Sequence, residues 1–456
     1  MRKPQSTWST LRLLRNEVTT VKICIVCPSI YPDSWGGDSL SIYLLSKYLK
    51  ERGHEVIITA FDSQHPVVED RDSGRVYRYP GLVDTPAGWR PKKTGNIFFD
   101  SLKENERFWI TVALAVRVVN EREKPDIIHW YTFSPSPVTR LFTSCPQVAT
   151  INTFWATCVK GTNILPNGSF CPSCNYQNLQ YCLRVGVPPY GPISAGLLSF
   201  LRAKILLWER RYAANNMNRL ITLSYATKGL VELNRISSSK IVVIPNMYDP
   251  GFLQMLDSVR KESKTRTREE LRLDPASIIV SYVGRIAQEK GVGCLIESIP
   301  FISNEFRNVN FVLAGKGPEE PRLRSRVKEL GIEDYVTFMG LLDKNSLTKL
   351  YATSDIVVAP QICFEAFGRV VLEAMLAQRP VITTNVGAPR EFVQHMKTGI
   401  VIRAGEPNEL AKWIARLLLD PKLGNILGVN ARKYAEEMFN PGKVGQEIEQ
   451  LYQSLL

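Results

Sequence analysis

Short apolar runs alternate with longer segments of helical periodicity along most of this chain. The first run, residues 21–27, is typical of a buried strand, and residues 39–52 carry apolar side chains at helical spacing before Gly53. Further strands are predicted over residues 56–60, 127–130, 148–152, 220–223 and 241–244, and in a second series over residues 278–283, 309–314, 336–339, 356–359 and 381–384. Two series of this kind predict an α/β protein with two doubly wound parallel sheets.

A cluster of Pro, Asn and Asp residues at positions 245–250 separates the two series. Such residues favour turns, and a chain of 456 residues is too long for one ordinary hydrophobic core. We therefore predict a first domain over residues 21–247 and a second domain over residues 248–440. Residues 1–20 are basic and contain no apolar run of signal-peptide length, so we interpret them as an extension rather than a secretion signal.

The net charge of +13 favours an anionic partner, such as a phosphorylated substrate, an acidic membrane surface or a nucleic acid. Nucleic acid has the least support, because the chain has neither zinc-finger spacing nor an aromatic RNA-binding signature. No stretch of the sequence reaches the length of a membrane span. Residues 201–240 contain eight Lys or Arg and two Asp or Glu, which suits either a segment lying on an anionic membrane surface or a core helix with one solvated face.

Two glutamates stand eight positions apart within residues 364–375. Glu365 follows the strand predicted at residues 356–359, and a helix is expected to open near Gly368. Because the carboxyl ends of parallel strands bind ligands and the free N–H groups of a helix start attract anions, we expect a diphosphate here. Glu373 lies farther along the helix, where its carboxylate suits a vicinal diol such as that of a ribose.

The loop that follows the strand at residues 278–283 carries two cations, Arg285 and Lys290. A guanidinium can form two parallel hydrogen bonds to a phosphate, and an ammonium acts as a point charge. Both side chains therefore suit the same diphosphate. A solvated salt bridge within the loop is the alternative interpretation.

Glycines follow or precede several of these elements. Gly284 ends the strand before Arg285, Gly315 and Gly317 form a turn after the next strand, and Gly36 and Gly37 precede the first helix. A glycine lets a backbone approach a ligand closely and leaves helix N–H groups accessible. Each pair taken alone indicates no more than a plain turn.

Residues 364–375 resemble the signature of the family-four retaining glycosyltransferases, which have the GT-B fold of two Rossmann-like domains facing a cleft. The resemblance covers residues 21–439 and is strongest between residues 283 and 402. It implies that a C-terminal helix, residues 441–456, crosses back to the first domain. It also implies transfer of a sugar, without a catalytic metal or other cofactor, from a nucleotide-diphosphate donor to a glycan or lipid-linked acceptor. Such reactions build cell-envelope polysaccharides in the cytoplasm or on the inner face of the membrane.

The resemblance assigns roles to single residues. Arg285 and Lys290 would stabilise the leaving diphosphate, and Glu373 would bind the ribose. Glu365 would hold the hydroxyls of the donor sugar together with the backbone of two neighbours, Phe367 and Gly368. Five glycines would line the donor site: Gly36, Gly37, Gly284, Gly315 and Gly317.

The sequence departs from the family after the strand that ends at residue 151. Many relatives have a histidine there that approaches the transferred sugar, whereas this chain has Asn152, which can hydrogen-bond a hydroxyl but does not titrate near neutrality. His129 matches another position of the family and is a candidate for sugar or acceptor contact. A buried histidine with satisfied hydrogen bonds is the alternative interpretation.

Four of the nine cysteines fall within an insertion at residues 155–185. Four thiolates suit a structural zinc ion, while four free thiols or two disulfides are the alternatives. The residues are Cys158, Cys171, Cys174 and Cys182. Because the insertion follows a strand of the expected cleft, we expect it to shape the acceptor site.

The sequence therefore predicts a cytoplasmic retaining glycosyltransferase, with an anionic membrane surface as a further partner. A GT-B sugar-nucleotide 2-epimerase is a second enzyme hypothesis, although the first domain offers few acid or base side chains for it. A hypothesis from another class is a catalytically silent scaffold that binds sugar nucleotides at a membrane. Turnover of the donor separates the enzymes from the scaffold.

Overall fold

The computed structural model describes residues 19–33, 36–63, 65–80, 97–132, 134–135, 139, 141–159, 161–165, 169–185 and 197–456. The basic extension predicted at residues 1–20 lies outside these ranges except for its last two residues.

The first domain is built on an eight-stranded sheet of order β3-β4-β2-β1-β5-β6-β7-β8. All neighbouring strands run parallel except β3, which is antiparallel to β4. The strands are β1 Lys22–Cys27, β2 Glu55–Ser63, β3 Val67–Arg71, β4 Gly74–Pro80, β5 Ile127–Tyr131, β6 Gln147–Ile151, β7 Arg219–Thr222 and β8 Ile241–Val243. The predicted strands of this domain are confirmed. Strands β3 and β4 were not predicted: β3 lies at the exposed edge of the sheet and has no apolar run, and two arginines interrupt the apolar residues of β4.

Helices cover both faces of this sheet. They are α1 Gly37–Glu51, α2 Ile97–Glu123, α3 Tyr176–Val185, α4 Leu197–Asn216 and α5 Tyr225–Leu233. Helix α1 packs on one face, and α2 packs on the other face together with the end of α4. In the sequence, helix α3 and most of the predicted insertion 155–185 come between β6 and α4.

The second domain has a parallel six-stranded sheet of order β11-β10-β9-β12-β13-β14. Its strands are β9 Ile278–Val283, β10 Val309–Ala314, β11 Val336–Gly340, β12 Ile356–Ala359, β13 Val381–Thr384 and β14 Ile400–Ile402. Its helices are α6 Pro250–Val259, α7 Lys264–Glu270, α8 Val292–Ser303, α9 Glu320–Glu329, α10 Lys344–Thr353, α11 Arg369–Leu376, α12 Pro389–Phe392, α13 Pro407–Leu419 and α14 Pro421–Met438. The five predicted strands are confirmed, and the three-residue β14 is too short to have left a pattern.

The last helix, α15 Pro441–Gln453, packs against α1 in the first domain. Its apolar side chains join the core around β1, and its buried Glu449 accepts a hydrogen bond from His54 Nε2 at 2.7 Å. The chain therefore passes between the domains twice, once after β8 and once after α14. The two crossings lie side by side, since the Tyr248 N–H donates to the Phe439 carbonyl at 3.0 Å.

Candidate active site

The loops after β9 and β12 bring together a cation and a carboxylate that are far apart in sequence. Lys290 Nζ donates to Glu365 Oε2, and the two side chains are 33% and 27% exposed. The Glu365 carbonyl accepts from the Ala388 N–H at 2.8 Å, which fixes the backbone of this loop against the loop after β13. Glu365 stands three residues before Gly368, the N-cap of α11, and a Cβ added to Gly368 would lie 3.5 Å from Glu365 Cγ, so the pair is beside the start of this helix.

Arg285 occupies the same loop as Lys290 but has a different partner. Its guanidinium pairs with Glu289, and its side chain is 62% exposed. The structure thus brings Lys290 and Glu365 into direct contact, and leaves Arg285 at the solvent side of the loop. An exposed ion pair of this kind contributes little to folding, so the guanidinium can exchange Glu289 for a phosphate at small cost.

A cavity of about 160 Å³ opens between the two domains. Gly36 and Gly37 line it from the first domain, and Glu373 and Arg369 of α11 line it from the second. The Glu373 carboxylate accepts a hydrogen bond from Tyr351 Oη at 2.9 Å. Burial raises the pKa of Glu373, an effect that the nearby Arg369 opposes. A partly buried carboxylate that lines a cavity suits a diol ligand.

Gly315 and Gly317 allow the loops after β9 and β10 to pack backbone against backbone. A Cβ added to Gly315 would lie 1.9 Å from the Gly284 carbonyl oxygen, and one added to Gly317 would lie 2.1 Å from the Ile286 carbonyl oxygen. Neither position can carry a side chain without moving the neighbouring loop. The glycines therefore set the position of the segment that carries Arg285.

The side chain of Phe367 belongs to the core of the second domain. It is buried against Phe392 and Phe439, with ring centroids 5.5 and 5.6 Å away. Only its backbone is left to contribute to the predicted donor site. Gly368 caps α11, so the helix begins at Arg369, in agreement with the predicted opening near Gly368.

The interpretation of His129 as a contact to a sugar or acceptor is not supported by its position. Its ring is fully buried, with Nδ1 at 2.6 Å from Tyr452 Oη and Nε2 at 2.7 Å from Thr150 Oγ1. Burial lowers the pKa of His129 to about 3, so the ring is neutral. The alternative of a satisfied core histidine describes it, and its role is to join β5 and β6 to α15.

Asn152 lies directly after β6, as the sequence predicts, and is close to the Asp38 carboxyl of α1. Its Nδ2 donates to Thr132 Oγ1 at 3.2 Å, and its buried Oδ1 has no hydrogen-bond donor among the described residues. An unsatisfied buried oxygen is unusual and marks a place where a ligand hydroxyl can donate.

Asp38 was not predicted as a site residue, although it follows Gly37 in the first turn of α1. Burial raises the pKa of its carboxyl to about 6, while Arg369, a hydrogen bond from Asn152 and the charge of Lys290 oppose the rise and Glu365 adds to it. The Asp38 carboxylate of the first domain is thus near enough to Lys290 and Glu365 for the charges of both to act on it. Only its position after the two glycines could have signalled this.

Arg369 was also missed, although it follows Gly368 in the motif. Its Nη2 crosses from α11 to donate to Ser41 Oγ of α1 at 2.5 Å. Its Nε is buried without an acceptor among the described residues. A cation that spans the cleft and keeps an unused donor is well placed to meet an anionic ligand.

The four cysteines of the insertion are neighbours in space. Burial raises the pKa of the Cys171 thiol to about 11 and that of Cys174 to about 12, and nearby thiols add to both shifts. Within the described residues, however, no group of three or more His, Cys, Asp or Glu side chains is arranged to hold a metal ion. As placed here, the cysteines do not fit the predicted structural zinc site.

Helix α4 carries an exposed apolar stripe at helical spacing. The stripe consists of Leu201, Ile205, Trp208 and Tyr212, and the last two rings stack with centroids 5.5 Å apart. Among the helices in the described part of the chain, none combines the length and the apolar character that crossing a bilayer requires.

Comparisons with known proteins agree with this architecture. The family model described as Glycosyltransferase Family 4 matches residues 35–252, and the model described as Glycosyl transferases group 1 matches residues 263–434. An uncharacterised glycosyltransferase of Methanocaldococcus jannaschii is 30% identical over 51% of this chain and 59% of its own length. The match thus spans little more than half of that relative.

Two further proteins match nearly the whole chain. The N-acetyl-alpha-D-glucosaminyl L-malate synthase of Bacillus anthracis is 26% identical over 96% of this chain and 97% of its own length. The crystal structure of Anabaena HepE in complex with UDP-glucose is 19% identical, with a TM-score of 0.66 over 95% of this chain and 100% of HepE. The predicted fold is confirmed: the chain has the GT-B fold, and each of its two domains matches a family model of glycosyltransferases.

Proposed function

We propose that the protein is a retaining glycosyltransferase that moves a sugar from a nucleotide-diphosphate donor to a glycan or lipid-linked acceptor. The observation that supports this most directly is the Lys290–Glu365 pair beside the start of α11. A cation and a helix N-terminus suit a diphosphate, and a carboxylate suits the hydroxyls of the attached sugar. Both family models and the UDP-glucose complex of HepE agree with such a donor.

The charges along the cleft suggest how the donor bond breaks. As the bond between the anomeric carbon and the phosphate oxygen lengthens, negative charge grows on the diphosphate and positive charge on the sugar ring. Lys290, Arg285 and the N–H groups at the start of α11 stabilise the departing diphosphate, and this part of the reaction needs no metal. Glu365 holds the sugar, and Glu373 binds the ribose.

Retention requires the acceptor hydroxyl to attack from the face that the diphosphate leaves. The departing phosphate oxygen is then close enough to take the proton of that hydroxyl, so no side chain has to act as a base. This suits Asn152, an amide at the position where many relatives have a histidine. The Asp38 carboxylate, which the first domain places near Lys290 and Glu365, stabilises the positive charge that develops on the sugar ring.

Titration calorimetry tests the donor site. UDP, GDP, ADP and dTDP, each alone and as its glucose ester, are titrated into the protein and into the Glu373→Ala and Arg285→Ala variants. We expect one nucleotide to bind and both variants to weaken it. A folded protein that binds none of the eight compounds would contradict the proposal and favour the scaffold hypothesis.

Chromatography of the reaction products distinguishes the two enzyme hypotheses, a glycosyltransferase and a 2-epimerase. Release of the nucleoside diphosphate, with the sugar passed to water or to an added acceptor, supports a transferase. Conversion of the donor into an isomer with its nucleotide still attached would instead identify an epimerase. An anomeric assignment of the product by NMR decides whether the configuration is retained.

We further propose that the acceptor is reached at an anionic membrane surface through the exposed stripe of α4. Apolar side chains on a surface helix and a net charge of +13 are the combination that binds such surfaces. Flotation with vesicles of phosphatidylglycerol tests this, with phosphatidylcholine vesicles as the control. We expect binding only to the anionic vesicles, and weaker binding after Trp208→Ser.

A further inference from the structure

Phe364 directly precedes Glu365 and lies where the two domains touch. Its ring meets two aromatic rings of the first domain. The Phe154 ring contacts it edge-on, with centroids 5.5 Å apart and an interplanar angle of 85°, and the Phe170 ring stacks on it at 5.3 Å and 21°. Phe170 belongs to the insertion and is the residue before Cys171, so the insertion reaches the loop that carries Glu365.

Ala366, on the other side of Glu365, is also held by the first domain. It is buried in a cluster with Phe154 and Leu230. Its carbonyl accepts hydrogen bonds from Ser224 Oγ at 3.3 Å and Thr227 Oγ1 at 3.4 Å, both at the start of α5. The first domain therefore contacts both the residue before Glu365 and the residue after it.

Glu365 itself is held by the second domain, through Lys290 and through the Ala388 N–H. The loop is thus held by both domains: the first domain contacts the residues on either side of Glu365, and the second domain contacts Glu365 itself. Offset-stacked and edge-on aromatic pairs have preferred geometries, so the two rings restrict the orientation of Phe364 as well as its burial. A rotation of Phe364 would move the backbone at Glu365.

We propose that Phe170 is a positioning residue, which acts through Phe364 to hold the Glu365 carboxylate where it binds the sugar of the donor. This rests on the proposed function, because it assumes that Glu365 meets a donor sugar. It gives the insertion a role in the first step of the reaction, in addition to the acceptor-side role expected from the sequence.

The proposal predicts a selective defect. Glu365 contacts the sugar and not the nucleotide, so Phe170→Ala should leave the affinity for the nucleoside diphosphate unchanged. The affinity for the nucleotide sugar should fall roughly two- to tenfold, as expected for one aromatic pair. Phe170→Tyr keeps the stacked ring and should restore this affinity.

A double-mutant cycle provides the decisive measurement. Calorimetry with the four diphosphates and their glucose esters is carried out on the wild type, Phe170→Ala, Glu365→Ala and the double variant. If Phe170 acts through Glu365, its substitution has no further effect in the Glu365→Ala protein. Tyr181→Ala, a change to an exposed ring of α3 in the same insertion, is the control and should bind like the wild type.

The outcomes are distinguishable. A wild type that binds no nucleotide overturns the proposed function and the role of Phe170 with it. A wild type that binds, with Phe170→Ala equal to it or with additive effects in the cycle, overturns only the role of Phe170. If Phe170→Ala melts at a much lower temperature, Phe170→Leu replaces it, because leucine keeps the apolar bulk and loses the stacked ring.

Discussion

Replacing Lys290 by Met removes the cation that contacts Glu365 and keeps a side chain of similar length. The effect on folding should be small. Both partners are about one-third exposed, at 33% and 27%, and such an ion pair contributes ~1 kcal/mol or less to stability. The effect on turnover should be much larger, because the ammonium stabilises charge that exists only as the diphosphate departs. Loss of one such preorganised donor costs roughly 2.7–4 kcal/mol, or about 100- to 1000-fold in kcat.

The variant also changes the electrostatics around Asp38. Lys290 lowers the pKa of the Asp38 carboxyl and Glu365 raises it, so removal of the lysine leaves the effect of the Glu365 charge without this opposing charge. The pKa of Asp38 should therefore rise further. In Lys290→Met, the loss of activity on the acid side of the pH profile should therefore occur at a higher pH. The maximum activity should also be lower.

Steady-state release of the nucleoside diphosphate, measured between pH 5 and 9, gives kcat and its pH dependence, and thermal melting gives the stability. Lys328→Met is the matched control, since Lys328 lies on the exposed face of α9 away from the cleft. A loss of kcat below about tenfold in Lys290→Met would refute the assigned role of this lysine. A loss that is matched by unfolding at the assay temperature would refute the argument that the pair is dispensable for folding.

Three further predictions concern the same cleft. Glu373→Ala should weaken binding of the nucleoside diphosphate by about tenfold or more, measured by calorimetry, because a charged hydrogen-bond acceptor for the ribose is lost; unchanged affinity would place the ribose elsewhere. Because the pKa of Asp38 is raised to about 6, its carboxylate gains a proton below that pH, so kcat/KM should fall there; Asp38→Asn should have a lower plateau without that fall. Gly315→Ala places a Cβ 1.9 Å from the Gly284 carbonyl oxygen and should lower the melting temperature and weaken donor binding together, whereas Gly331→Ala, with open space around its Cβ, should not affect donor binding.

Much of the fold follows from the apolar runs, because a strand buried on both faces of a parallel sheet needs a continuous apolar segment. Strand β9 has the predicted bounds, and Lys290 and Glu365 meet because the strands before them are neighbours in the sheet. Strand β3 was missed since an edge strand needs no such run.

The sequence was less informative where a side chain has two plausible environments. His129 stands in a segment typical of the family, yet its side chain is buried in a core; the Phe367 side chain is also buried, but only the backbone of this residue was predicted to meet the donor. Asp38 and Arg369 became candidates only because the fold places α1 opposite α11. Contacts across a cleft depend on how two separately specified domains face each other, and no local pattern encodes that.

The two chain crossings between the domains determine how the cleft can move. A single linker would let one domain swivel in any direction, but here two crossings lie side by side, tied by the hydrogen bond from the Tyr248 N–H to the Phe439 carbonyl. Two adjacent crossings form a hinge. The domains can rotate easily about the line through both crossings, whereas rotation about any other axis is resisted. Closure of the cleft is therefore expected to be a rotation about one axis. Each closure then restores the same contacts of Arg369 with Ser41 and of Phe364 with Phe170.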